Sequence, residues 1–209
     1  MQIIESLKWR YATKKFDANR FLDDNQIAIL KEAFNLTATS YGLQPIRLVV
    51  IQNKELQEKL VEHSWNQRQV VDASHVLVLC IENKVNRETV ENYFQRVKDI
   101  RNTPDEIVAP FKEFMIDTFS KKSDEELKTW ASKQAYIALG NLLTVCGLEK
   151  IDACPMEGFI PEKYDEILGL EAHGLSSVLV LPVGYRAEDD MFSDMNKVRK
   201  SVAESVLEL

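Results

Sequence analysis

Short apolar runs alternate along the chain with longer segments in which apolar residues recur every three or four positions. The runs predict strands at 47–52, 75–81, 151–155 and 176–184. Those at 75–81 and 176–184 are apolar almost throughout, so both of their faces should be buried. Residues 2–10 read as a short amphipathic helix with Ile3, Ile4 and Leu7 on one side. Asp23 or Asp24 suits the cap of a second helix, in which Ile27, Leu30, Ala33 and Phe34 follow at helical spacing. A hydroxyl-rich loop at 37–42, closed by Gly42, comes next. Residues 54–63 predict a polar-faced helix, and 87–100 and 105–120 two more, with Pro104 and Pro110 each fitting a helix start.

The strongest helical signal is 130–147, apolar nearly all the way round. Such a helix belongs at the centre of a fold; Gly140 would allow close packing and Gly147 would end it. A helix at 162–168 is closed by Gly169. In the tail from 199 to 209, Val202, Val206 and Leu207 have a spacing suited to packing on a neighbour. Interspersed strands and long helices, without repeats or low-complexity linkers, predict an α+β fold of two or three layers.

Composition adds exclusions. Hydrophobic residues make up 45% of the chain, enough for a real core. A formal net charge of -7 argues against nucleic-acid binding, which needs a broad basic face. Cys80, Cys146 and Cys154 are odd in number, lack paired spacing and lie in apolar runs. They read as small buried hydrophobes, and a reducing, cytoplasmic setting follows. The first ten residues lack the basic-then-apolar pattern of a signal peptide, and no apolar run is long enough for a membrane span. His63, His75 and His173 are scattered, with no metal-ligand spacing. No Gly-x-Ser-x-Gly or Gly-x-Gly-x-x-Gly stretch occurs. The usual signatures of a zinc hydrolase, a serine esterase and a Rossmann dehydrogenase are therefore missing.

Against the acidic background, Arg10-Tyr11-Ala12-Thr13-Lys14-Lys15-Phe16-Asp17 is a basic exception, and Lys197 with Arg199 is another near the far end. Folded together, two such clusters could hold a phosphorylated cofactor, since guanidinium forks onto two oxygens and ammonium adds point charge. A solvated helix end followed by a turn is the alternative reading of the same charges.

A set of stretches in order resembles the FMN-dependent nitroreductase family, above all the bacterial oxygen-insensitive NAD(P)H nitroreductases. They are the basic segment 10–17; Thr39-Ser40-Tyr41-Gly42-Leu43-Gln44-Pro45; Asp72-Ala73-Ser74-His75; Lys133-Gln134-Ala135-Tyr136 with Gly140-Asn141; Pro155-Met156-Glu157-Gly158-Phe159; Leu181-Pro182-Val183-Gly184-Tyr185; and Lys197-Val198-Arg199. The resemblance implies one FMN-binding domain over 1–209, with a central, mostly antiparallel sheet flanked by helices, working as a homodimer. It implies that NAD(P)H leaves a hydride on FMN and departs, and that a nitroaromatic, quinone or related acceptor then takes the electrons. A flavin or dihydropteridine reductase of the same fold, or a non-catalytic flavin-binding protein, is the alternative.

By the same resemblance Arg10, Lys197 and Arg199 hold the FMN phosphate, with Tyr11 and Ala12 alongside. Lys14 sits at the pyrimidine edge, where a cation favours reduced flavin. Asn66 hydrogen-bonds that edge, and Gln69 stands where relatives often carry lysine, so one charge is lost. Ala12 stands where a serine is common. Pro155, Met156, Glu157 and Gly158 cover one flavin face; a main-chain N–H of this loop meets the hydride-accepting nitrogen, and Gly158 allows the approach. Glu157 is a candidate for contact with the nicotinamide ribose, or else an exposed loop carboxylate. Thr39, Ser40 and Gly42 approach the flavin from the second subunit, and Tyr41, Phe111 and Phe114 border the acceptor. Phe119 shares the lid segment, and all three phenylalanines could equally be core. No metal is implied.

Overall fold

Two apolar strands set the architecture. The computed structural model describes residues 3–209. In chain order the elements are α1 (Ile3–Trp9), α2 (Asp24–Asn35), β1 (Ile46–Ile51), α3 (Lys54–Val61), α4 (Gln69–Asp72), β2 (His75–Glu82), α5 (Arg87–Arg101), α6 (Asp105–Ser120), α7 (Asp124–Leu148), β3 (Asp152–Ala153), α8 (Pro161–Leu168), β4 (Leu175–Gly184) and α9 (Val202–Ser205). The sheet order is β1-β2-β4-β3, and every pair is antiparallel. Because strand side chains alternate, β2 and β4 feed two cores. Leu77, Leu79, Leu179, Leu181 and Val183 pack with Leu30 of α2 and Leu142 of α7. Val76, Val78, Cys80 and Val180 pack with Leu60 of α3 and Tyr164 of α8. Both faces of these strands are therefore covered, as their unbroken apolar character predicts, and the molecule is a three-layer α+β structure. A third cluster, with Val90 and Phe94 of α5 and Met115 and Phe119 of α6, lies beside them.

The edge beyond β3 positions the candidate site. The ladder of β3 on β4 continues past its two named residues: the Cys154 N–H donates to the Pro182 carbonyl (3.0 Å) and the Met156 N–H to that of Val180 (2.8 Å). Pro155, which has no N–H, falls between them at a position whose nitrogen faces away from β4, so the ladder loses no bond. On the outer side Ala12 bridges Ala153 and Phe16 bridges Arg186. The segment after α1 thus runs along the sheet edge. The arm after β4 returns to the same segment through the Ala187 N–H on the Lys15 carbonyl (2.9 Å).

Several expectations need correction. α7 starts at Asp124, not Trp130, because Ser123 and Glu126 form a capping box upstream of the apolar pattern. It also runs through Gly147 to Leu148, and the left-handed residue that follows is Lys150, at φ 57°. Gly147 instead admits a neighbour: a Cβ there would lie 3.0 Å from the Ser6 carbonyl oxygen. Pro110 lies inside α6 rather than at its start. The bond it removes belongs to the carbonyl of Glu106, an exposed residue that water can reach. The helix at 54–63 ends at Val61 and tightens into a 3-10 turn, Glu62–Ser64. Asp23, not Asp24, caps α2. Of the predicted helix at 2–10, Gln2 lies outside the described residues. In α1, Ile3, Ile4 and Leu7 are exposed and Ser6 is buried.

Candidate functional site

The two basic ends of the chain meet. Arg10 follows α1 directly and is half-buried. Burial lowers its pKa, and the charge of Arg199 lowers it further. Lys197 is also lowered, by burial first and then by Arg10, Arg199 and Arg186. Its Nζ donates to the Lys8 carbonyl at the end of α1 (2.6 Å). The Arg199 guanidinium donates to the Val198 carbonyl (2.7 Å). Among the described residues no carboxylate pairs with Arg10, Lys14, Lys197 or Arg199. Unneutralised cations that repel one another, in a chain of net charge -7, make a site for a polyanionic group. The chemistry of these donors fits the phosphate of FMN.

Arg186 belongs to the framework of this site. It forms a salt bridge to the buried Asp152, with Nη2 2.6 Å from Oδ1. Its guanidinium lies 4.3 Å from the Trp9 ring centroid and 4.5 Å from that of Tyr11. Ala12 bridges β3, and the Thr13 hydroxyl is buried with no hydrogen-bond partner among the described residues. Lys14 is exposed. Its charge reaches Cys154, pulling that thiol down against the burial that raises its pKa. Cys80, Cys146 and Cys154 are free and buried, as their apolar setting predicts.

The loop 155–158 is held from two sides. The Tyr136 hydroxyl of α7 donates to Glu157 Oε1 (2.7 Å), which raises the tyrosine pKa. The Gln67 side-chain amide donates to the Gly158 carbonyl (3.2 Å). A Cβ on Gly158 would lie 2.9 Å from the Trp65 ring, so any side chain there would have to displace that exposed ring. That loop turns through two left-handed residues, Trp65 at φ 54° and Asn66 at φ 58°. Asn66 is exposed beside it, and Gln69 is buried at the start of α4. Among the described residues the main-chain N–H groups of Glu157 and Gly158 meet no acceptor.

The loop with Thr39, Ser40, Tyr41 and Gly42 is elsewhere. The Ser40 N–H donates to Gln134 Oε1 of α7 (2.8 Å), and the Tyr41 ring meets Phe119 edge-on at 5.5 Å. Gly42 takes φ 73°, and a Cβ there would lie 2.9 Å from the Tyr93 hydroxyl. Gln134 and Tyr136 are two residues apart, about 200° round the helix. α7 thus holds the 39–42 loop on one face and Glu157 on another. Among the described residues no hydrogen bond, ion pair or ring contact joins 39–42 to residues 10–14 or 155–158 within one chain. Of the lid phenylalanines, Phe119 is core. Phe111 and Phe114 are exposed and stack on each other at 6.0 Å.

Sequence reasoning missed Gln67, Tyr136, Asp152 and Arg186 as site residues. Each acts through a contact between distant segments. Only Tyr136 lay within a stretch that the resemblance had marked.

Fold and site together define a family. The family model described as nitroreductase family matches residues 7–185. The chain is 35% identical over 199 residues to "Putative NAD(P)H nitroreductase YfkO" of Bacillus subtilis, covering 90% of each. A Staphylococcus saprophyticus relative with the same kind of name is 38% identical over 197 residues, with 88% of each covered. The fold matches a solved structure from Exiguobacterium sibiricum, described as a "putative nitroreductase in complex with FMN", at TM-score 0.87 and 20% identity. That match spans 100% of this chain and 98% of the other. The chain belongs to the nitroreductase family of oxidoreductases, and it has the nitroreductase-like fold. Among the described residues no helix is long and apolar enough to cross a membrane, and no group of three or more His, Cys, Asp or Glu side chains could hold a metal ion.

Proposed function

We propose that the protein is an FMN-dependent NAD(P)H oxidoreductase of the nitroreductase type. Residues 1–209 form one FMN-binding domain, which works as a homodimer in the cytoplasm. The observation that carries this reading is the convergence of Arg10, Lys197 and Arg199 without a neutralising carboxylate among the described residues. The FMN named for the Exiguobacterium sibiricum structure supports it.

When bound, FMN supplies the carrier that accepts a hydride from a nicotinamide and passes electrons on. Arg10, Lys197 and Arg199 bind its phosphate, with Tyr11 and Ala12 alongside. Lys14 stabilises negative charge at the pyrimidine edge, and Asn66 and Gln69 supply amides there. Pro155, Met156, Glu157 and Gly158 cover one face, and an N–H of this loop donates to the flavin. Tyr136 keeps Glu157 in place. The partner copy brings the 39–42 loop, and Tyr41, Phe111 and Phe114 border the acceptor space. Catalysis is ping-pong: NAD(P)H enters, gives up hydride and leaves, and a nitroaromatic, quinone or related acceptor enters the same space.

Anaerobic mixing of the purified, FMN-loaded protein with NADH and with NADPH tests this. The expected result is bleaching of the flavin band, reversed by a nitroaromatic or a quinone. An unchanged spectrum would make the protein a flavin carrier without turnover. Rapid reoxidation by free flavin or a dihydropteridine alone would move it to those reductases.

A further inference from the structure

Asp190 stands in the acidic run Glu188-Asp189-Asp190, which by sequence looks like a solvated stretch. It is in fact 3% exposed. Its Oδ2 accepts three hydrogen bonds: from the Tyr11 hydroxyl (2.8 Å), the Lys14 N–H (2.9 Å) and the Lys15 N–H (3.1 Å). Its Oδ1 accepts the Phe192 N–H (3.1 Å). Burial alone would raise the pKa of this carboxyl; the four donors outweigh it, and the group is held below its ordinary value. The donors come from both sides of the site. Tyr11, Lys14 and Lys15 belong to the N-terminal segment, and Phe192 to the arm that leads to Lys197 and Arg199. The Lys15 ammonium is ion-paired with the adjacent Asp189. The Lys14 ammonium has no such partner among the described residues. Its main chain is pinned, and its side chain is left free to meet a ligand.

We propose that Asp190 is a positioning residue of the flavin site. Its carboxylate fixes the main chain of Lys14, and so the place of that ammonium, while it fastens the phosphate-binding arm to the same segment. The inference rests on the FMN reading above. A carboxylate suits this task because it offers only acceptors, and all four converging groups are donors. Asparagine would turn one donor toward them. The distances to Lys14 and Lys15 make the pin local: loss of these bonds frees the peptides that carry the cation rather than the β2 and β4 core.

The experiment compares the parent, Asp190→Asn, Lys14→Met and the double variant, each purified with FMN. FMN affinity is read by flavin fluorescence and the midpoint potential by equilibrium redox titration. Asp190→Asn should weaken FMN binding roughly tenfold and move the potential in the same direction as Lys14→Met. In the Lys14→Met background it should lower the potential no further; only the opposite, upward effect of the lost carboxylate charge should remain. Amide exchange on the FMN-free proteins should find the Lys14 and Lys15 N–H groups protected in the parent and less protected in Asp190→Asn, whose neutral amide oxygen accepts these bonds more weakly than the carboxylate. If Asp190→Asn fails to fold, Tyr11→Phe removes one of the four bonds and keeps the charge. It should give a smaller shift of potential that vanishes in the Lys14→Met background. A parental potential and FMN affinity in a variant that has only lost thermal stability would overturn the proposal. So would a further downward shift of potential in the double variant. A parent protein that binds no FMN would overturn the functional reading itself, and is recognisable because the failure appears without any substitution.

Discussion

Lys14 and Arg199 carry charge for different purposes, and single substitutions separate them. Lys14 is exposed, unpaired among the described residues and pinned through its backbone N–H. A cation beside a developing anion in a partly dry site is commonly worth a few kcal/mol. By the resemblance, Gln69 is neutral where a lysine is expected, so in the proposed site Lys14 should bear more of that load. Lys14→Met is expected to lower the FMN midpoint potential and slow reduction by NAD(P)H in stopped flow, with FMN still retained. An unchanged potential would show that Lys14 is not at the pyrimidine edge. For the phosphate clamp, Arg199 is exposed and Arg10 half-buried. Loss of a charge-assisted hydrogen bond costs about 1.5–3 kcal/mol, and water screens the exposed one toward the low end. Arg199→Ala should therefore weaken FMN binding roughly tenfold, and Arg10→Ala by more. Equilibrium dialysis that finds the two equal, or finds no loss, would count against the clamp.

At the scale of elements, α7 shows how far the sequence could be read. Its apolar positions announce a central helix, yet they begin only at Trp130, because 124–129 is charged and masks the periodicity. The signal was there in another form: Ser123 and Glu126 have capping-box spacing. In the structure the Ser123 N–H donates to Glu126 Oε2 (2.7 Å), and the Glu126 N–H donates to Ser123 Oγ (3.2 Å). Ser123→Ala should cost about 1 kcal/mol, read as a lower midpoint in urea with an unchanged slope. An unchanged midpoint would mean that this end frays without consequence. The site was legible where chemistry is local and obscure where it is not. The basic clusters stood out as exceptions in an acidic chain. Asp190 did not, because its meaning lies in a hydrogen bond across 176 positions, and nothing in the run Glu188-Asp189-Asp190 marks the third acid as buried. Glycines misled for a related reason. Gly147 looks like a helix stop, but it is there for the close approach of Ser6.

For the whole molecule, the apolar surface left over is the remaining evidence for a second copy. In α1, Ile3 and Ile4 are more than half exposed, at 52% and 56%. On α7, Tyr136 and Ile137 are 46% and 49% exposed, and Gly140 lies one turn further along the same side. In the arm, Val198, Val202 and Leu207 stand almost free. The covered face of α7 explains its helix; the open face does not explain its glycine. Among the described residues a Cβ at Gly140 would meet nothing within 4 Å. Glycine within a helix costs roughly 0.5–1 kcal/mol relative to alanine, so something outside the chain should need the space. Close packing of a partner's helix in the proposed homodimer would do so. It would also bring in the 39–42 loop, which among the described residues no hydrogen bond or ion pair ties to its own chain's cation cluster. Gly140→Leu separates the possibilities. In a monomer it should be neutral or stabilising, since leucine is a better helix former and the site is open. In the dimer it should force the subunits apart and take FMN with it. Sedimentation velocity with absorbance at the flavin band is expected to show a dimer that carries FMN for the parent, and a lighter species without it for Gly140→Leu. A parent that sediments as a monomer with FMN bound, or a Gly140→Leu variant that keeps both its dimer and its flavin, would remove this face of α7 from the interface.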